Sequence, residues 1–250
     1  WNLKMKTPLS IQLYSLRNLP SLEEILDTVK SAGYQNVELI GSHLDDAARV
    51  KQALAQRGLN VSSAHVSIAA LRDRFDAIMA ACKTLGFTQL FMPSVPPDER
   101  QSPEPYWTFL GRELAQMAWR ARDHGVALGY HNHHWELNVQ PDGRTALDCL
   151  FAGAGNSPLT WQADVAWLVR GGADPVALMQ RYKDRIVSVH AKDLAPANTK
   201  LDEDGWEDVG HGVLDWRNSL AAASVASGAK WFVAEHDKPS DPARFARNSF

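Results

Sequence analysis

With 250 residues, 45% of them hydrophobic and 22% charged, the chain has apolar surface enough for one substantial core, and its composition excludes a disordered or fibrous protein. A net charge of −3, with Lys and Arg scattered, presents no basic face to a polyanion, so nucleic acid is not expected as a partner. Two cysteines, Cys82 and Cys149, each inside an expected helix, are too few for a disulfide framework or a cysteine metal site, and no apolar run reaches the roughly 18 to 20 residues that span a bilayer.

The opening residues 1–6 lack the apolar stretch of a signal peptide, so a soluble cytoplasmic protein is expected, with an export signal removed before residue 1 left open. From there short β-type runs alternate with segments of helical period. Strands are predicted at 9–14, 36–40, 60–66, 89–92, 127–131, 159–164, 185–190 and 230–235, and helices at 21–32, 45–56, 74–85, 106–124, 174–182 and 217–226. Ser21 followed by Glu24 reads as a helix start. Gly33, Gly58, Gly86 and Gly125 stand where helices should stop.

Eight βα units imply a parallel sheet closed as a (β/α)8 barrel, one domain over residues 1–250. An open doubly wound sheet would show a glycine-rich turn after its first strand, where Tyr14, Ser15, Leu16 and Arg17 stand instead. Two irregular loops follow strand C-termini, the face on which barrels build active sites. One is stiffened by Pro93, Pro96, Pro97, Pro103 and Pro105; the other runs over 193–212.

Barrel interiors are normally apolar, yet these strands finish in potential ligands: Gln12 and Tyr14, Glu38, His65, His131 and His133, Asp164, His190 and Lys192, and Glu235. The strand period of two puts His131 with His133, Gln162 with Asp164 and His190 with Lys192 on common faces. Any one such His could be a structural hydrogen-bonding group. Several carboxylates and imidazoles converging on one barrel mouth, however, need a cation or proton partner, and they suit a divalent ion such as Mn2+, Mg2+, Co2+ or Zn2+.

The segments Ile11-Gln12-Leu13-Tyr14-Ser15, Val37-Glu38-Leu39, Gly129-Tyr130-His131-Asn132-His133 through Glu136, Asp164-Val165-Ala166-Trp167, His190-Ala191-Lys192-Asp193, Val209-Gly210-His211-Gly212 and Glu235 resemble, in order, the sugar phosphate isomerase/epimerase family of xylose-isomerase-like TIM barrels. The resemblance implies an enzyme holding one divalent metal, Mn2+ first, on Glu, Asp, His and Glu of the last four strands. Asp164, His190 and Glu235 match the last three, and His131 falls at the first. Imidazole in place of carboxylate leaves the site one negative charge short and removes a base.

The implied reaction is isomerisation, epimerisation or dehydration of a keto-sugar or inosose-like polyol by proton abstraction beside a carbonyl, with Glu235 as one proton carrier. Lys192, with a pKa expected to be depressed, and Glu136 are candidates for the second. Glu38 and His65 are expected to contact substrate, as is His133; Trp167 and Trp206 could stack on a sugar ring, and Arg170 is the one anion contact in view. Two other readings stand beside this one: a non-catalytic sugar-binding barrel, and an endonuclease-IV-like metallohydrolase. Surface Trp and apolar helix faces leave a homodimer open.

Overall fold

The computed structural model describes residues 8–250, so the reading of residues 1–6 lies outside the described residues. Eight parallel strands close a barrel: β1 (Leu9–Gln12), β2 (Asn36–Ile40), β3 (Asn60–His65), β4 (Gln89–Met92), β5 (Ala127–His131), β6 (Thr160–Asp164), β7 (Ile186–Ala191) and, after a small hairpin of β8 (Asp193–Leu194) and β9 (Trp206–Glu207), β10 (Trp231–Ala234). Their neighbour order is β1-β10-β7-β6-β5-β4-β3-β2. The expected (β/α)8 barrel is the fold of the chain.

The surrounding helices are α1 (Leu22–Ala32), α2 (Ala47–Arg57), α3 (Ile68–Asp73), α4 (Phe75–Leu85), α5 (Glu104–Asp123), α6 (Ala146–Ala154), α7 (Val165–Arg170), α8 (Pro175–Arg181), α9 (Ala221–Ala226) and α10 (Pro242–Asn248). Side-chain caps start many of them. Ser21 accepts from the Glu24 amide at 3.1 Å, and Gly33, at φ 110°, ends α1 in the left-handed conformation that a side chain would strain. Cys82 and Cys149 are buried and free, and no helix among the described residues is long and apolar enough to cross a membrane.

Three short helices were not foreseen, and their sequences show why. α3 and α7 have six residues each, too few for a period to emerge, and α10 has seven. α6 is buried on nearly every side and so carries no polar face. It lies against α5 at close range: a Cβ on Gly111 would meet the Leu150 carbonyl oxygen at 2.0 Å, and one on Gly153 the Thr108 oxygen at 2.1 Å. The first strand ends at Gln12, two residues early, because the Gln12 side chain accepts from the Tyr14 amide and turns the chain into a 3-10 segment. The helix expected over 217–226 is a π turn, Trp216–Leu220, followed by α9.

Register decides which side chains meet inside the barrel. Gln12, Glu38 and Ser63 are cross-strand partners on β1, β2 and β3; His131, Gln162 and Ser188 are partners on β5, β6 and β7; Asp164 pairs with His190. The two bulges within these pairings fall at Val37/Glu38 and Trp161/Gln162, beside the polar residues that they re-aim.

Candidate metal centre and active site

Asp164 stands where β6 ends and α7 begins. Its Oδ1 caps α7 by accepting from the Trp167 amide at 3.0 Å, which fixes the carboxylate and turns Oδ2 the other way. Asn132 holds the same corner, accepting from the Asp164 amide and from Trp161 Nε1, both at 3.0 Å. Oδ2 is buried and makes no hydrogen bond among the described residues. It lies 3.8 Å from His131 Nε2, 3.9 Å from His190 Nδ1 and 3.2 Å from Lys192 Nζ.

One donor atom from each of His131, Asp164, His190 and Glu235 lies within 4.8 Å of the other three, and all four residues are buried. These residues fit a divalent ion. Two imidazoles and two carboxylates make a borderline donor set, Oδ2 of Asp164 faces the cluster without a hydrogen bond, and burial pushes the Asp164 carboxyl up to about 6, a cost that a cation relieves. Burial holds His131 well below the ordinary histidine range, and the charge of neighbouring His190 adds to this, so its imidazole is neutral, as a ligand must be.

Behind the cluster lies a layer of supports. Glu38, fully buried, accepts from Gln12 Nε2 (2.8 Å), Ser63 Oγ (2.5 Å), Gln162 Nε2 (2.7 Å) and His190 Nε2 (2.5 Å). Burial alone would raise its pKa; the imidazoles of His65 and His190 and the bonds it accepts outweigh that and hold it at about 2. His65 Nε2 is 2.7 Å from Gln162 Oε1 and 3.2 Å from Glu38 Oε1. Glu38 and His65, expected to touch substrate, lie behind the cluster, where Glu38 accepts from His190 and His65 meets Gln162. A second group, His65, His131 and His190, also has metal-like spacing, but Gln162 and Glu38 engage its nitrogens.

Lys192 departs furthest from expectation. Its ammonium, 1% exposed, contacts Glu235 at 2.9 Å, Asp164 at 3.2 Å and both oxygens of Asp237 at 2.8 Å. Burial disfavours the charge, but Asp164, Asp237 and Glu235 outweigh it, so its pKa is raised rather than depressed. Lys192 is thus a fixed cation, not a neutral base. The Glu235 carboxylate, though burial opposes its charge, is held well below the usual range by Lys192 and His190, both on Oε2. Oε1 makes no hydrogen bond with the described residues.

Glu136 is held from two sides. Tyr130 donates to one of its oxygens at 2.5 Å and the His133 amide to the other at 2.8 Å, so this buried carboxyl, pushed up to about 7 by burial, anchors the loop after β5. His133 stacks on Trp135 with 4.2 Å between ring centroids. Trp206 is fully buried: the Arg170 guanidinium covers its ring at 3.5 Å and Trp167 meets it edge-on at 4.7 Å. Arg170 further donates to the Asp204 carbonyl at 2.8 Å. Both therefore hold the β8–β9 hairpin in place. Trp167, close to both His133 and Lys192, remains beside the cluster.

The sequence places Gln162 on the face of Asp164 without assigning it a task, and assigns none to Asp237. Each sits two residues from a proposed ligand, Gln162 before Asp164 and Asp237 after Glu235, and that spacing was the available signal. The motif Val209-Gly210-His211-Gly212 cradles Asp193: the amides of Gly210, Gly212 and Leu214 donate to its carboxylate at 2.9 to 3.1 Å. A cavity of about 660 Å3 opens at the opposite end of the barrel among Val61, Phe87, Gln89, Arg122, Thr160 and Trp231, remote from this chemistry.

Comparison with known proteins agrees with this architecture. The inosose dehydratase of Lacticaseibacillus casei is 24% identical over 257 aligned positions, covering 90% of this chain and 84% of the relative. A sugar phosphate isomerase/epimerase from Parabacteroides distasonis superposes with a TM-score of 0.79 at 18% identity, covering 100% of this chain and 94% of that one. The IolI protein with a bound zinc atom does so at 0.73 and 14% identity, covering 97% and 95%. These structural likenesses speak for the fold. The xylose isomerase-like TIM barrel model matches residues 26–249, and this chain belongs to that family as one of its enzymes.

Proposed function

We propose that the protein is a metal-dependent lyase that removes water from a cyclic keto-polyol of the inosose class. The metal is held by His131, Asp164, His190 and Glu235, and when bound supplies Lewis acidity to a substrate carbonyl. The single observation that carries the choice of dehydration is the pairing of Glu235 with a charged Lys192 at 2.9 Å. A carboxylate and an ammonium side by side are a base and an acid. Epimerisation by two opposed carboxylates lacks its second carboxylate here, since His131 stands in that place.

Glu235 takes the proton from the carbon beside the carbonyl. Lys192 gives a proton to the departing β-hydroxyl, so the C–H and C–O bonds break, a C=C bond forms and water leaves. Asp237 and Asp164 keep Lys192 aimed and charged until then. The similarity to inosose dehydratases over most of both chains supports the substrate class, and Trp167, beside His133 and Lys192, suits a polyol with one apolar face.

The test is incubation of the purified, Mn2+-supplemented enzyme with inososes in D2O, followed by ultraviolet absorbance for the unsaturated carbonyl product and by NMR for deuterium. Wild type should form the unsaturated product, and Glu235→Gln should lose about 10²- to 10⁴-fold in rate, the usual worth of a positioned proton carrier. Lys192→Met should slow water loss more than exchange of the carbon-bound proton. An epimer formed without loss of water would replace this reading by epimerisation.

A further inference from the structure

Gln162 carries no charge, yet it stands fully buried at the centre of the polar layer. On β6 its register partners are His131 on one side and Ser188 on the other, with a bulge immediately before it. Its Nε2 lies 2.7 Å from Glu38 Oε2 and 3.2 Å from Ser188 Oγ; its Oε1 lies 2.7 Å from His65 Nε2 and 3.0 Å from His131 Nδ1. Every polar atom of the amide is used.

The direction of these bonds follows from chemistry. An ionised carboxylate accepts and cannot donate, so the end of the amide facing Glu38 must be the NH2. The end facing the two imidazoles is then a carbonyl oxygen, which also only accepts. Each nitrogen facing it must therefore carry a proton. For His131 that nitrogen is Nδ1, which leaves the lone pair on Nε2, the atom 3.8 Å from Asp164 Oδ2. His190 differs: its Nε2 and its Nδ1 both face ionised carboxylates, Glu38 and Glu235, so each carries a proton, and a metal would have to displace the one on Nδ1.

We infer that Gln162 is the positioning residue for His131: it passes the acceptor character of Glu38 through its amide, holds His131 as the Nδ1–H tautomer and presents Nε2 to the metal centre. This rests on the metal reading above. A carboxylate at position 131 would need no such partner, because its two oxygens are equivalent. An imidazole binds only through a deprotonated nitrogen, and a hydrogen bond at the far nitrogen decides which one that is.

Long-range 1H–15N correlation spectra of chelator-treated wild type read the tautomers directly. His131 should be neutral with its proton on Nδ1, and His65 should carry one on Nε2. In Gln162→Met, similar in size but without an acceptor, His131 should lose that fixed tautomer, Co2+ should bind about 10- to 100-fold more weakly, and the visible Co2+ band should change. Gln162→Glu, protonated towards Glu38, should restore much of the affinity by keeping a carbonyl towards the imidazoles. An Nε2–H tautomer for His131 in wild type overturns the inference whether or not any variant folds; so does a folded Gln162→Met with unchanged Co2+ affinity. Wild type that shows the Nδ1–H tautomer but binds no Co2+ overturns the metal reading and upholds the role of Gln162.

Discussion

The Glu38 carboxylate accepts from side chains of four strands, β1, β3, β6 and β7, and so ties opposite walls of the barrel to one buried charge. Removing it leaves those donors without water to replace it. Glu38→Ala should cost about 3 to 5 kcal/mol in urea unfolding, the range for breaking a buried ionic network by deleting one partner. A loss under about 1 kcal/mol would show that the layer is not a structural unit. At this scale the strand-end residues were legible because alternation with period two marks inward positions. Their division into ligands and braces was not, since it depends on which strands are neighbours: Gln12 and Ser63 reach Glu38 only because β2 lies between β1 and β3. Lys192 was misjudged for the same reason. Its charge state is set by Asp164, Asp237 and Glu235, the last two 45 and 43 residues away and brought beside it by the pairing of β7 with β10.

The β8–β9 hairpin and the segment after it are held by two clasps. The first is Asp193 in its cradle of amides, where a Cβ on Gly212 would meet Asp193 Oδ1 and the Leu194 oxygen at 2.3 Å. Gly212→Ala should therefore loosen the segment over 193–212, seen as faster proteolysis there together with a lower melting temperature; unchanged cleavage would refute the clasp. The second is buried Glu203, which accepts from the Ser240 amide at 2.7 Å and from Arg244 at 2.8 Å, joining the loop to α10. Burial would raise the Glu203 pKa, but the Ser240 and Arg244 bonds hold it at about 2, against an ordinary 4.5. A carboxyl depressed on folding stabilises above its unfolded pKa and ceases to do so as pH falls through the folded one. Wild type should therefore be more stable than Glu203→Gln above pH 4.5, with the advantage shrinking as pH falls towards 2; a gap independent of pH would contradict this. Neither clasp could be read from periodicity. Strands and long amphipathic helices were, within a few residues, while α3, α7 and α10 were hidden by shortness.

At the scale of the molecule, a closed parallel barrel places the ends of β5, β6, β7 and β10 around one small volume. Residues spread over more than a hundred positions thereby supply two imidazoles, two carboxylates and one ammonium to the same site. The alternation of strands and helices, eight times over, made this architecture the most legible feature of the chain. The central claim is that His131, where the resembled pattern has a carboxylate, works with Asp164, His190 and Glu235 to hold a metal. It is tested most directly by the stoichiometry and affinity of Mn2+ and Zn2+ in wild type and in His131→Ala, Asp164→Ala, His190→Ala and Glu235→Ala, each checked for folding by circular dichroism. The account predicts about one ion per chain in wild type and a marked loss of affinity in all four variants, as expected for a four-ligand site. A folded wild type that binds neither ion, or a His131→Ala that binds as tightly as wild type, would contradict it.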